Sequence, residues 1–230
     1  MNAITQTLEM LYKVTHLSTF VSSGDCGAFE NSDYGIQEYG KLGVAFPASS
    51  PYAIGVGGTI LNVDAQGNRT SEVVWGDPNA NHTSCRNRWG GGGGLSGFFS
   101  QPPWVTGAGV QNQFSNGHRQ LPDVSAMAWN LPVYFEGEWS MSGGTSAAAP
   151  LWAVGMALVN QQLLRMTHKN PFGPSIPTVL ANKAANGHPY FDVAQGDNLY
   201  YKATPGWDYG SGFGAPNFVD VYNTFLHVLK

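Results

Sequence analysis

Between Met1 and Val14 the apolar residues Ile4, Leu8, Leu11 and Tyr12 fall at near-helical spacing, which predicts an amphipathic helix. The pattern then changes. Leu17 to Val21 read as a short buried strand, and Ser22, Ser23, Gly24 and Gly27 form a loop at its carboxyl end, the edge where open α/β sheets place their ligands. Pro47 and Pro51 bracket a turn before the apolar run Tyr52 to Val56. Gly90 to Gly94 interrupt all periodicity. A further strand follows, and residues 141–162 (MSGGTSAAAPLWAVGMALVNQQ) lead from a Gly-Gly turn into a helix of small residues. A glycine-rich helix-and-loop segment closes the chain. This order predicts an α/β fold, a largely parallel sheet flanked by helices.

Composition narrows the possibilities. A chain of 230 residues can form one sizeable domain. Only 11% of residues are charged and the net charge is −4, which argues against a nucleic-acid surface or a polybasic membrane anchor. No apolar run reaches the length of a membrane span. Cys26 and Cys85 can form one disulfide, as in exported proteins. Asn68 and Asn81 head glycosylation sequons, meaningful in a eukaryotic secretory setting.

The chemistry centres on Ser146. Gly143 and Gly144 let the backbone approach a substrate closely, because they carry no Cβ. Ser146 stands in the first helical turn, where unpaired N–H groups and the positive end of the helix dipole favour a developing negative charge. Pro150 is tolerated because it still lies near the helix start. Read from these residues alone, Ser146 is either a presented nucleophile or, with Thr145, a cap on a buried helix. GGTSAAAPLW resembles the nucleophile motif of the sedolisins, the serine-carboxyl peptidases, and more loosely the GTS-x-x-x-P of subtilisins. In both families the matching serine is the nucleophile.

Other segments favour the sedolisins. Asp25, in FVSSGDCGAF, resembles the sedolisin aspartate that helps form the oxyanion hole, where subtilisins use asparagine. A carboxyl group donates a hydrogen bond only while protonated, whereas an amide donates at any pH. The resemblance therefore implies work in acid, or a pKa raised by desolvation. The residues alone equally allow Asp25 to be a turn former. Cys26 beside it suggests a thiol nucleophile, with no paired histidine in support. FPASSPYAIGVGGT (46–59), WGGGGGLSGFFSQPPW (89–104) and RQLPDVSAMAW (119–129) match further sedolisin segments in order. The glycine run is either a backbone surface beside a ligand or a flexible linker. Met127 and Trp129 stand where the family tends to be more polar.

YFDVAQGDNLYYKATPGWDYGSGFGAPN, residues 190–217, resembles the sedolisin calcium site and its closing loop. The resemblance implies carboxylate ligands from Asp192 and Asp208 and main-chain carbonyls from Val193, Thr204 and Gly206, with threonine where the family commonly has glycine. Calcium accepts such a set of hard oxygens.

One part of the family pattern is missing. Sedolisins activate their serine with a glutamate oriented by an aspartate four residues later, on one helix face. Here Glu9, Glu30, Glu38, Glu72, Glu136 and Glu138 are followed at that spacing by Lys13, Tyr34, Leu42, Gly76, Ser140 and Ser142. None of His16, His82, His118, His168, His188 and His227 lies in a segment resembling a subtilisin histidine motif. The resemblance thus implies one partial catalytic domain over 1–230, subtilisin-like in fold and truncated at its N-terminus, with a calcium-binding cap at about 190–217. It implies an extracellular, acid-acting serine endopeptidase whose substrates are peptides or proteins, weak or inactive without its base. The base would come from a missing N-terminal segment, with a pro-domain or a homodimer partner as further expected contacts. The alternative is an inactive remnant that binds peptide or calcium, or serves structurally.

Overall fold

The structure, a computed structural model, describes residues 2–30, 40–76, 89–184 and 187–230. Helix α1 (Asn2–Lys13) buries Leu8 and ends when the Val14 and Leu17 N–H groups return to the Met10 and Leu11 carbonyls. That closure uses Leu17, leaving it exposed, so the first strand, β1 (Phe20–Ser22), is shorter than the apolar run predicts. β2 (Ile54–Val63) pairs in parallel with β1 through Ile54–Val56 and with β6 (Val124–Met127) through Val56–Thr59. Its outer half pairs antiparallel with β3 (Arg69–Val74). The expected parallel arrangement is the middle of this four-stranded sheet.

Helix α2 (Thr145–Thr167) packs on β1, β2 and β6, and α4 (Phe218–Leu229) packs on α2. Burial explains the match. Ile54, Val56, Val124 and Ala126 meet Ala148, Trp152, Met156 and Val159 in one core cluster. Trp152 is 1% exposed and donates its indole N–H to the Ser125 carbonyl at 2.8 Å, so its one polar atom is satisfied. Small residues on α2 permit this closeness: a Cβ at Gly155 would overlap the Phe218 ring. Among the described residues no helix is long and apolar enough to cross a membrane.

The remaining elements are β4 (Gly94–Ser100) with β5 (His118–Leu121), the ribbon β7 (Leu131–Phe135) with β8 (Glu138–Ser142), α3 (Ile176–Lys183), and β9 (Tyr190–Phe191) with β10 (Ala215–Pro216). Between β5 and β6 a buried ion pair fixes the chain. The Arg119 guanidinium reaches both Asp123 oxygens, Nη1 to Oδ1 at 2.8 Å and Nη2 to Oδ2 at 2.5 Å, and the Gly55 N–H donates to Oδ2 at 2.7 Å. The second charged group of the RQLPD segment thereby anchors the central strand.

Candidate active site

β8 runs through Gly143 and Gly144 into α2. Gly144 is the helix N-cap at φ 119 and ψ 149, outside the range of ordinary L-residues, with its N–H bonded to the Ala128 carbonyl at 2.6 Å. A Cβ there would stand 2.9 Å from Asp25 Oδ2. The two segments therefore approach so closely that only glycine fits. Thr145 is fully buried, and its N–H donates to Asp25 Oδ1 at 2.7 Å. Its Oγ1 lies 2.9 Å from the same oxygen and 3.1 Å from the Gly24 carbonyl, while accepting from the Gly24 N–H at 3.1 Å. Ser146, next in the chain, is exposed.

Thr145 is thus not a helix cap; α2 has no side-chain cap. It clamps the Asp25 loop to the turn that bears Ser146. Sequence reading missed this role, and the only local signal was a threonine placed before the serine. Pro150 lies inside α2 and has no N–H to give the Ser146 carbonyl four residues back.

The Asp25 loop has its own supports. The Glu30 carboxylate accepts the Cys26 N–H at 2.5 Å and fills the space a Cβ on Gly24 would need; Gly24 itself has φ 105. Burial pushes the Glu30 carboxyl above the ordinary glutamate range, with the neighbouring Asp25 charge acting in the same direction. Behind the loop runs the glycine segment. Gly90 and Gly92 donate to the Asp25 and Gly24 carbonyls at 2.9 and 2.8 Å, Gly93 donates to Gly27 at 3.2 Å, and Gly27 donates back to Gly90 at 2.9 Å. A Cβ on Gly92 would overlap the Ser23 carbonyl, and one on Gly93 the Tyr209 carbonyl. The run is a buried backbone surface rather than a linker, and what it borders is the Asp25 loop. Cys26 is disulfide-bonded; Cys85, the chain's other cysteine, lies outside the described residues, as do Asn81, His82 and Glu38.

Among the described residues no side chain hydrogen-bonds to Ser146. Glu9 pairs with Lys13 and Tyr52, and Glu72 with Arg69 and Thr59. His16 packs on Phe172, and His168 caps the far end of α2, on the order of 30 Å from Ser146 at 1.5 Å per residue. Trp129 stacks on Trp75 at 5.6 Å and flanks Gly143, so its ring belongs to the wall of the nucleophile turn.

The expected calcium residues converge on one loop. Asp208 is 3% exposed; its Oδ1 accepts the Gly210 and Ser211 N–H groups and its Oδ2 the Thr204 N–H, each at 2.8 Å. Burial outweighs these bonds and pushes its pKa up to about 6. Asp192 Oδ2 accepts the Gly206 N–H at 2.9 Å, and the buried Val193 offers its carbonyl to Ser211 Oγ at 3.4 Å. Among the described residues no lysine or arginine pairs with Asp208, and no group of three or more His, Cys, Asp or Glu gathers. A buried carboxylate with no cationic partner among the described residues, in a loop that Asp192 also reaches through the Gly206 N–H, is compatible in charge with a hard cation.

The chain belongs to the subtilase family, whose profile matches residues 18–214. Within that class it is similar to sedolisin of Pseudomonas sp. (strain 101), 35% identical over 211 residues that cover 85% of this chain and 32% of that protein. It is also similar to kumamolisin of Bacillus sp. (strain MN-32), 33% identical over 208 residues, covering 87% of this chain and 35% of that one. The structure of Pseudomonas sedolisin, a serine-carboxyl proteinase complexed with two molecules of pseudo-iodotyrostatin, superposes with a TM-score of 0.80 at 27% identity, over 99% of this chain and 60% of that chain. The chain therefore spans about a third of the length of these curated relatives.

Proposed function

We propose that this chain carries the nucleophile and oxyanion side of a serine-carboxyl endopeptidase acting on peptides or proteins in acid. The observation that carries the reading is the clamp of Asp25 onto the Thr145 N–H and hydroxyl, immediately before Ser146 and 120 residues away in sequence. Ser146 Oγ attacks the peptide carbonyl carbon; the C–O bond forms as the carbonyl π pair moves to its oxygen, and the Ser146 proton passes to a general base supplied from outside the described residues. Asp25 Oδ1 is committed to Thr145 as an acceptor, so Oδ2 of the protonated acid is the oxygen free to donate to the developing oxyanion. The base that takes the Ser146 proton is not among the groups bonded to it here. Calcium would be held in the 192–208 loop by Asp192, Asp208 and the Val193, Thr204 and Gly206 carbonyls, and would supply the positive charge that offsets buried Asp208. The Cys26 disulfide supports an extracellular setting.

A second reading is favoured by a Ser146 side chain that no described side chain hydrogen-bonds and by the absence from this sequence of any glutamate followed four residues later by aspartate. In it, the chain is an inactive relative that binds peptide or calcium. Loss of a triad's base removes most of the rate. Hydrolysis of casein from about pH 3 to 7, the range in which a carboxylic acid passes from neutral to charged, separates the two. The peptidase reading predicts slow hydrolysis, strongest in acid and abolished in Ser146→Ala. Hydrolysis that survives that substitution, or peaks in alkali, contradicts it.

A further inference from the structure

The ribbon β7–β8 ends at the nucleophile turn, and every residue from Pro132 to Gly143 is exposed. Its register pairs Pro132 with Met141 and Tyr134 with Trp139. Alternation puts these four side chains on one face of the ribbon. That face is wholly apolar or aromatic, yet Tyr134, Trp139 and Met141 are 60%, 72% and 62% exposed. The Tyr134 and Trp139 rings lie 5.3 Å apart and form a continuous surface. At the tip, the turn residue Glu136 has no salt-bridge partner among the described residues, while Glu138, opposite Phe135, belongs to the other face. At the base, Ser142 leads through two glycines to Thr145 and Ser146, beside Trp129.

We propose that this face is a peptide-binding wall. It holds a substrate chain next to Ser146 through large apolar, preferably aromatic, side chains, with a lysine or arginine of that chain reaching the Glu136 carboxylate at the turn. The proposal deepens the peptidase reading and rests on it. Two features select a peptide as occupant: the face is continuous with the nucleophile turn, and its acidic tip complements a basic residue. The five-residue strands extend about 16 Å. An extended peptide covers that length in about five residues, which sets the basic residue about that far from the attacked bond. Side chains at alternate positions of such a peptide face the ribbon together.

Calorimetry with the full chain tests this, using Ac-Lys-Ala-Phe-Ala-Phe-amide, the same peptide with both phenylalanines replaced by serine, and the same peptide with lysine replaced by glutamate. The wall predicts that the phenylalanine peptide binds roughly ten-fold or more tightly than the serine peptide. It predicts that the glutamate peptide binds more weakly than the lysine peptide, with a difference that shrinks in high salt. The double variant Tyr134→Ser/Trp139→Ser should lose the phenylalanine preference at an unchanged melting temperature, since both side chains are exposed. Ser146→Ala should keep it. Equal binding of the phenylalanine and serine peptides, or a preference that survives in the double variant, overturns the wall. So does a wild-type dimer in sedimentation that the double variant abolishes, because the face then belongs to a second copy. Binding that follows the ribbon, together with hydrolysis indifferent to Ser146→Ala, overturns the nucleophile and leaves the wall standing.

Discussion

Asp25 and Thr145 hold the site together through contacts that a few atoms decide. Thr145→Val keeps the shape but leaves the Gly24 N–H without its acceptor, and should cost about 1–3 kcal/mol by chemical denaturation. Asp25→Asn should be tolerated far better than Asp25→Ala, because the amide oxygen can still accept from the Thr145 N–H. Glu30 sets a pH dependence. Its carboxyl is held above the ordinary value by burial, so the native state keeps the proton that the unfolded state has already released. Its contribution to stability is therefore full below the ordinary glutamate value and is lost as pH rises through the raised one. Melting temperature against pH should fall over that window in the wild type and fall less steeply in Glu30→Gln, the remaining slope belonging to Asp208, whose carboxyl burial also raises. An unchanged slope would show that Glu30 is not the group responsible. Ser146 and Asp25 were legible as motif residues. Thr145 and Glu30 were not, because their roles lie in contacts to backbone far away in sequence or made by folding the loop on itself.

At the scale of elements, three segments show what pattern conveys. The apolar runs marked β1 and β2, whereas the 119–129 strand segment was read from the resemblance and α2 from the small residues after the Gly-Gly turn. The glycine run did not declare itself: composition favoured a linker, and only the overlap a Cβ would suffer against Ser23 and Tyr209 reveals a buried layer. Gly93→Ala should accordingly destabilise the fold and displace the Asp25 loop, seen as shifted amide resonances of Gly24 to Gly27. The β7–β8 ribbon was also missed, although Glu136-Gly137, with φ 51 and 90, forms a two-residue hairpin turn between apolar runs. Its apolar residues occupy both faces, which hides the alternation. Arg119 and Asp123 read only as part of a family segment, yet they form a buried pair. Asp123→Ala leaves the guanidinium uncompensated and should cost about 3–5 kcal/mol in denaturant unfolding.

For the whole molecule, the family resemblance fixed the fold more fully than periodicity could, because it ordered segments whose pairing partners are far apart. The 190–217 loop is where that resemblance makes its most independent claim. With calcium at about 100 times its dissociation constant, binding would add about 2.7 kcal/mol. For a chain of this size that is a rise of several degrees, at about 2–4 °C per kcal/mol. EDTA should reverse it, and Asp208→Asn should abolish it; a melting curve indifferent to calcium contradicts the site. The central claim is that Ser146 adds to a carbonyl carbon while Asp25 stabilises the product oxygen. A peptide aldehyde labelled with carbon-13 at the carbonyl tests this even where turnover is slow, because serine addition converts it to a tetrahedral hemiacetal with its own NMR resonance. That resonance should appear in acid in the wild type, weaken in Asp25→Ala and be absent in Ser146→Ala. A protein-bound hemiacetal signal, distinct from that of the free aldehyde's hydrate, that persists in Ser146→Ala, or none from the wild type at any pH, would contradict it.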